Sequence, residues 1–174
     1  MRSRFDKRVY LSEMSKLITK ARRKMLTKHP DVRVYTISIW TDPDAAFSAV
    51  NFDTYENSVE QVEQANTFSK EQYDHLIAEG EYEEAKLFLP GTGRNCNPAD
   101  FAFRELAGMK HSSFDPLWEE RTKGRCWNRL EPALLEAGEL ALSELADFNL
   151  HRDAELSVNS RYDWYDHTWR LKSL

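Results

Sequence analysis

The residues from Asp31 to Phe52, DVRVYTISIWTDPDAAFSAVNF, carry the densest β signal in the chain. A run rich in Val, Ile, Thr, Tyr and Trp is followed by the polar break Thr41-Asp42-Pro43-Asp44 and a second run, AAFSAVNF. Branched and aromatic residues bounded by turn formers predict two strands joined as a hairpin. The period of two puts Val32, Val34, Thr36, Ser38 and Trp40 on one face and Arg33, Tyr35, Ile37 and Ile39 on the other. Both faces are largely apolar in the middle, as in a strand covered on both sides. Pro43 presets φ for the turn.

Before the hairpin, Tyr10, Met14, Leu17, Ile18, Ala21 and Met25 fall at helical spacing. The spacing predicts a helix over 3–28, opened by Ser3 and Asp6 as a capping box and stopped by Pro30. Its other face carries Lys16, Lys20, Arg22, Arg23, Lys24 and Lys28, a charge run of the kind that usually faces solvent. After the hairpin, Val59, Val62 and Ala65, then Tyr73, Leu76 and Ile77, predict two short helices. Ser69 with Gln72 would cap the second, Gly80 would end it, and EYEEAKLFL would add a helical turn.

The stretch PGTGRNCNPAD (90–100) is a loop. Its glycines match neither the Walker nor the dinucleotide pattern. DFAFRELAGM (100–109) predicts a short helix capped by Gly108. Phe114, Leu117, Trp118 and Trp127 are expected to pack as short helical turns over the core. RLEPALLEAGELALSELADF (129–148) predicts a helix with a wide apolar stripe, Pro132 in its first turn and Asn149 at its end. AELSVN (154–159) alternates as a half-buried third strand, and the tail SRYDWYDHTWRL predicts a turn and a short terminal helix. Together these elements predict one α+β domain over 1–174. It would be a small, largely antiparallel sheet, hairpin 31–52 plus strand 154–159, packed with helices.

Composition narrows the chemistry. The chain has 174 residues and a formal net charge of −5, which does not favour nucleic acid as a main partner. Cys96 and Cys126 have no zinc or CxxC spacing and read as reduced thiols. The N-terminus lacks the apolar run of a signal peptide, and no apolar stretch is long enough to span a bilayer, so a cytoplasmic location is expected. No cofactor motif is present.

Charge asymmetry is the least ordinary feature. From Asp53 to Glu84 ten acidic residues face one base, Lys70. Solvated helix faces account for such a block, and so does a negative surface offered to a basic partner. On the second account Glu56, Glu60, Glu63, Glu71 and Asp74 form the contact. Tyr162 and Trp164 in the tail add aromatic anchors of the kind enriched at interfaces. An enzyme reading rests on His151, Asp153, Asp163, Asp166 and His167, which could bind a divalent metal or exchange protons if the fold gathers them. Asp42 and Asp44 form a D-x-D pair that the turn already explains.

The N-terminal helix leading into VRVYTISIWTD, the late amphipathic helix and RDAELSVNSRYDW, with its Ser160-x-x-Asp163, resemble a bacterial family of uncharacterised domains found beside polymorphic toxins. The resemblance implies an immunity protein that binds and neutralises a cognate toxin in the cytoplasm, with a basic nuclease domain as one such toxin. It implies no catalytic residue.

Overall fold

The computed structural model describes residues 5–172. The hairpin forms as expected: β1 (Val34–Asp42) pairs antiparallel with β2 (Phe47–Thr54), from Ile37 opposite Phe52 to Asp42 opposite Phe47. Asp42 stabilises the turn, its Oδ1 accepting from the N–H groups of Asp44 and Ala45. A register shift between Val34 and Thr36 reverses the alternation, so Val34 joins Ile37 and Ile39 in the core.

β1 is the central strand of five, in the order β3-β2-β1-β4-β5. β4 (Leu150–Val158) lies parallel to β1, the one parallel pair in an otherwise antiparallel sheet. It begins four residues before the predicted strand. The other two strands correct the sequence reading. Residues 100–109 were expected as a helix, yet β3 (Phe103–Lys110) pairs with β2. Cross-strand pairing outweighs a short segment's helical tendency. Gly108 caps nothing: it sits opposite Ala49, where a Cβ would strike the Phe47 ring. The tail forms a turn and then strand β5 (His167–Arg170) on β4, in place of the expected helix.

One face of the sheet is covered by α1 (Lys7–Lys28) and α5 (Trp127–Glu144). All six stripe residues of α1 are buried, as are Leu130, Ala133, Leu134, Ala137 and Ala141 of α5. They meet Ile37, Ile39, Val50, Phe52, Leu156 and Val158 of the sheet. Each large side chain among them contributes about 1.5–3 kcal/mol by leaving water. Asp6 alone caps α1 among the described residues, its Oδ1 accepting from the N–H of Arg8 and Val9. Ser3, its expected partner in a capping box, lies outside those residues.

α5 starts before the predicted helix, so Pro132 is in its sixth position and not its first turn. Pro132 is exposed, so water can reach the carbonyl left without a donor. The helix ends at Glu144, short of Asn149. Between β3 and α5, α4 (Trp118–Thr122) holds Trp118 against Phe5 and Phe114.

The two short acidic helices are one. α2 (Tyr55–Glu79) runs 25 residues, about 37 Å. Thr54 caps its start by accepting from the Asn57 N–H, and Gly80 ends it at φ 82°. Ser69 begins no helix. The neighbouring Thr67 donates back to the Glu63 carbonyl, as a threonine inside a continuous helix can. α3 (Tyr82–Ala85) and a 3-10 turn over Lys86–Phe88 then fold back on α2 as the expected extra turns.

Candidate partner-binding surface

α2 departs from the sheet on the face opposite α1 and α5. Only Ser58 of its 25 residues is buried, accepting from the Asn95 N–H. Val62, Asn66, Tyr73, Leu76 and Ile77 are half-buried toward the returning segment, which Asn66 holds by paired hydrogen bonds to Gly91. Glu56, Glu60, Glu63, Glu71 and Asp74 are all exposed. Their spacing of 4, 3, 8 and 3 residues places them within an arc of roughly 80° on one stripe. The fold therefore brings the five predicted acidic residues together. Among the described residues one base meets this stripe, Lys70, bridged to Asp74 at 2.5 Å. Exposed apolar side chains share the arm: Phe68 on α2, Tyr82 on α3, and Leu87 and Leu89 after it.

Tyr162 and Trp164 are not part of that stripe. They project from the turn between β4 and β5, 87% and 51% exposed. Ser160 Oγ accepts from the N–H groups of Tyr162 and Asp163, and Asp163 Oδ1 accepts from Tyr165 N–H. The Ser-x-x-Asp motif is thus a turn that presents two aromatic residues outward. Trp164 meets Trp40 edge to face, ring centroids 5.5 Å apart, and both line an open cleft of about 670 Å³ with Asn51, Asn97, Pro98, Ala99, Arg104 and Glu105.

Between the cleft and α2, residues 90–102 cross the sheet on a polar layer. Arg94 is the fastener. Its guanidinium donates to the carbonyls of Tyr35 and Asp153 and to Thr36 Oγ1, pairs with Glu155 at 3.2 Å, and stacks 3.7 Å from the Tyr35 ring. Tyr165 donates to the same carboxylate, and burial beside it pushes the Tyr165 phenol well above its ordinary range. Asp53 caps this layer, its Oδ1 accepting from Thr54 N–H, Asn57 Nδ2 and Ala102 N–H. Burial raises its pKa, and those three donors oppose the rise. Burial likewise pushes up the Cys96 thiol; Cys96 and Cys126 are both free.

The residues of the enzyme reading are dispersed among other partners. His151 stacks on Tyr55, and Asp153 pairs with Arg170 and Arg152. Asp163 serves the turn, and His167 pairs with Glu131 at 2.9 Å, with Asp166 at 3.9 Å. Among the described residues no group of three or more His, Cys, Asp or Glu is placed to hold a metal ion. Asp44, read as half of a D-x-D pair, accepts from the Glu119 N–H at the start of α4.

A different constellation had no signal in the sequence. Ser48 Oγ lies 2.6 Å from His111 Nε2, and His111 Nδ1 lies 2.7 Å from Glu13 Oε2. The members are 63 and 98 positions apart, on β2, after β3 and on α1. The distances are those of a Ser-His-Glu triad. The setting is not, because Ser48 is fully buried and its Oγ also meets Thr41 Oγ1 at 2.6 Å, which in turn meets the Tyr10 hydroxyl. The 670 Å³ cleft and the two smaller ones beside it are lined by neither Ser48 nor His111. A carboxylate that accepts from Nδ1–H leaves Nε2 to accept from Ser48, so the proton order from Tyr10 to Glu13 is set, and the relay ties α1 to the sheet. Burial holds the His111 pKa below its ordinary value, against the pull of Glu13.

The basic face of α1 is also less free than its charge suggested. Lys24 and Lys20 donate to the outward carbonyls of Leu106 and Gly108 on edge strand β3, and Arg22 pairs with Asp147.

No family model matches this chain, and the searches of curated proteins and of solved structures found no match to it either.

Proposed function

We propose that this chain is a binding protein of the immunity type, which neutralises a bacterial toxin in the cytoplasm by covering its active surface. One observation carries the reading: a 25-residue helix with a single buried residue holds five carboxylates on one exposed stripe. A helix so sparsely packed does little for the core, and its charge suits a basic partner such as a nuclease that must itself bind phosphate. The exposed Phe68, Tyr82, Leu87 and Leu89 supply apolar area of the sort that gives such a contact its affinity. The family resemblance points the same way, and no helix among the described residues is long and apolar enough to cross a membrane.

Co-purification with the product of the neighbouring gene, followed by protection of cells expressing that product, tests the function. The charge reversal Glu60→Lys, Glu63→Lys, Glu71→Lys tests the surface. Its association rate should fall about tenfold or more at low salt, and the difference should shrink as salt is raised. Unchanged binding by that variant overturns the assignment of the surface. Absence of binding and protection with every neighbouring toxin overturns the function.

A further inference from the structure

We propose that the cleft between Trp40 and Trp164 receives a guanidinium, an arginine side chain presented by a partner polypeptide. The proposal rests on the binding reading above for its biological partner and on the cleft's own chemistry for its specificity. The cleft's volume, about 670 Å³, lies inside the range of roughly 300–1,000 Å³ typical of ligand clefts. It holds more than one side chain, so residues flanking the arginine enter with it. The two indoles stand at 83° to each other and form an aromatic corner. The negative face of a tryptophan attracts cations, and a planar guanidinium stacks on it where an ammonium cannot.

The cleft wall also carries one carboxylate, that of Glu105. Adjacent strand residues normally point to opposite sides of a sheet, yet Arg104 and Glu105 both line this cleft. The cause is an irregularity in the β2–β3 register, where Glu105 adopts φ 45°. The buried Asn51 holds it there by accepting from the Glu105 N–H, while its own amide donates to the Ser38 carbonyl. A left-handed conformation is strained for a glutamate, and it places Glu105 beside Arg104 on the cleft wall. The Arg104 guanidinium keeps its charge but is tethered to the Ala99 carbonyl at 3.1 Å, which fixes its place on the wall.

The same sheet face already binds one guanidinium by these means. Arg94 lies 3.7 Å from the Tyr35 ring and pairs with the Glu155 carboxylate. Aromatic face plus carboxylate is repeated in the cleft, and among the described residues no arginine stacks on the two indoles. The acidic stripe of α2 leaves from the same side of the sheet, so a basic partner drawn to it would arrive beside the cleft.

Isotope-labelled full-length protein titrated with the blocked tripeptide Gly-Arg-Gly tests the proposal. The chain has five tryptophans, and their indole N–H signals are separable reporters. Trp40 and Trp164 should shift with a dissociation constant on the order of 1 mM, and Trp127, which is buried and donates to Glu119, should not. The tripeptide with citrulline in place of arginine, equal in shape and uncharged, should bind at least tenfold more weakly. Glu105→Gln should produce a similar loss, with the unshifted Trp127 signal certifying the fold. The triple reversal on α2 should leave the tripeptide's affinity unchanged, which separates failure of the cleft from failure of the toxin reading. Equal binding of arginine and citrulline, preference for the Gly-Glu-Gly or Gly-Leu-Gly tripeptide, or no shift of Trp40 and Trp164 at all would each overturn the proposal.

Discussion

Ser48→Ala removes one oxygen and two buried hydrogen bonds, to Thr41 Oγ1 and to His111 Nε2, each 2.6 Å long. A neutral hydrogen bond contributes about 0.5–1.5 kcal/mol net, and a buried acceptor left unpaired costs about 1–3 kcal/mol. Thr41 keeps Tyr10 as a partner, whereas His111 Nε2 has no replacement donor, so the second cost falls on the imidazole. The expected destabilisation is about 2–3 kcal/mol, or a fall in Tm of roughly 5–10 °C for a chain of this size. Urea unfolding should show a lower midpoint at an unchanged slope, since the surface exposed on unfolding is the same. Glu13→Gln probes the other end through pH. Burial depresses the folded pKa of His111, and Glu13 opposes that depression. Both states hold a neutral imidazole above the unfolded pKa of about 6.5, so the contribution is fully present there. As pH falls through that value the unfolded chain takes the proton first, and stability declines. Without the Glu13 carboxylate the folded pKa drops further and the decline continues longer. The cost of Glu13→Gln should therefore grow as pH is lowered from 7.5 into the range where the folded imidazole of the parent takes up its proton. A Ser48→Ala cost under about 0.5 kcal/mol, or a Glu13→Gln cost that stays constant from pH 7.5 down to the acid unfolding of the parent, would refute the relay as a structural tie.

Arg94→Met strips the Tyr35 and Asp153 carbonyls of their guanidinium donor and leaves the Glu155 carboxylate with Tyr165 but no counter-charge. It should cost about 2–4 kcal/mol by chemical denaturation, below the fully buried range because Glu155 is 35% exposed. Arg94→Met with Glu155→Met should recover part of that loss. Lys20→Ala with Lys24→Ala uncovers the β3 carbonyls and should produce concentration-dependent self-association in light scattering, where the parent chain shows less. Gly138→Ala would bring a Cβ to 2.9 Å from the Trp169 ring and 3.0 Å from Val158, an overpacking cost of about 1–3 kcal/mol read as a fall in Tm.

The parts of the fold legible in the sequence were those whose signal is local. The α1 stripe, the hairpin and its Asp42 turn, and Gly80 at the end of α2 follow from periodicity and turn chemistry within a few residues. β3 and β5 escaped because edge strands owe their state to a partner distant in the chain; FRELAGMK and HTWR have little β character of their own. The break placed in α2 came from the gap between the Val59-Val62-Ala65 and Tyr73-Leu76-Ile77 groups and from Ser69 with Gln72, and a cap signature cannot be told from a mid-helix serine without the backbone. The acidic residues were visible, but their common stripe was not, because it exists only if the helix is continuous. Ser48, His111 and Glu13 could not be linked at all.

The two faces of the sheet divide the work. On the α1 and α5 side an apolar core closes over β1, with one polar relay to fix the register of helix against strand. On the other side no helix among the described residues lies flat against the strands. Thr36, Ser38, Asn51 and Ser157 are buried there, and Arg94 ties residues 90–102 to Thr36. A protein needing only stability gains more by closing such a face with an apolar helix than by a desolvated guanidinium, whose burial roughly cancels its own attraction. The polar layer makes sense if its task is to hold other groups in place. It fixes the loop that forms one wall of the Trp40–Trp164 cleft and, through Ser58 and Asn57, the root of α2. The acidic arm and the aromatic cleft are thereby set on one rigid base, and a partner that engages both pays little to order either. If so, Arg94→Met should weaken partner binding beyond its effect on folding, and should do so even where the chain remains fully folded.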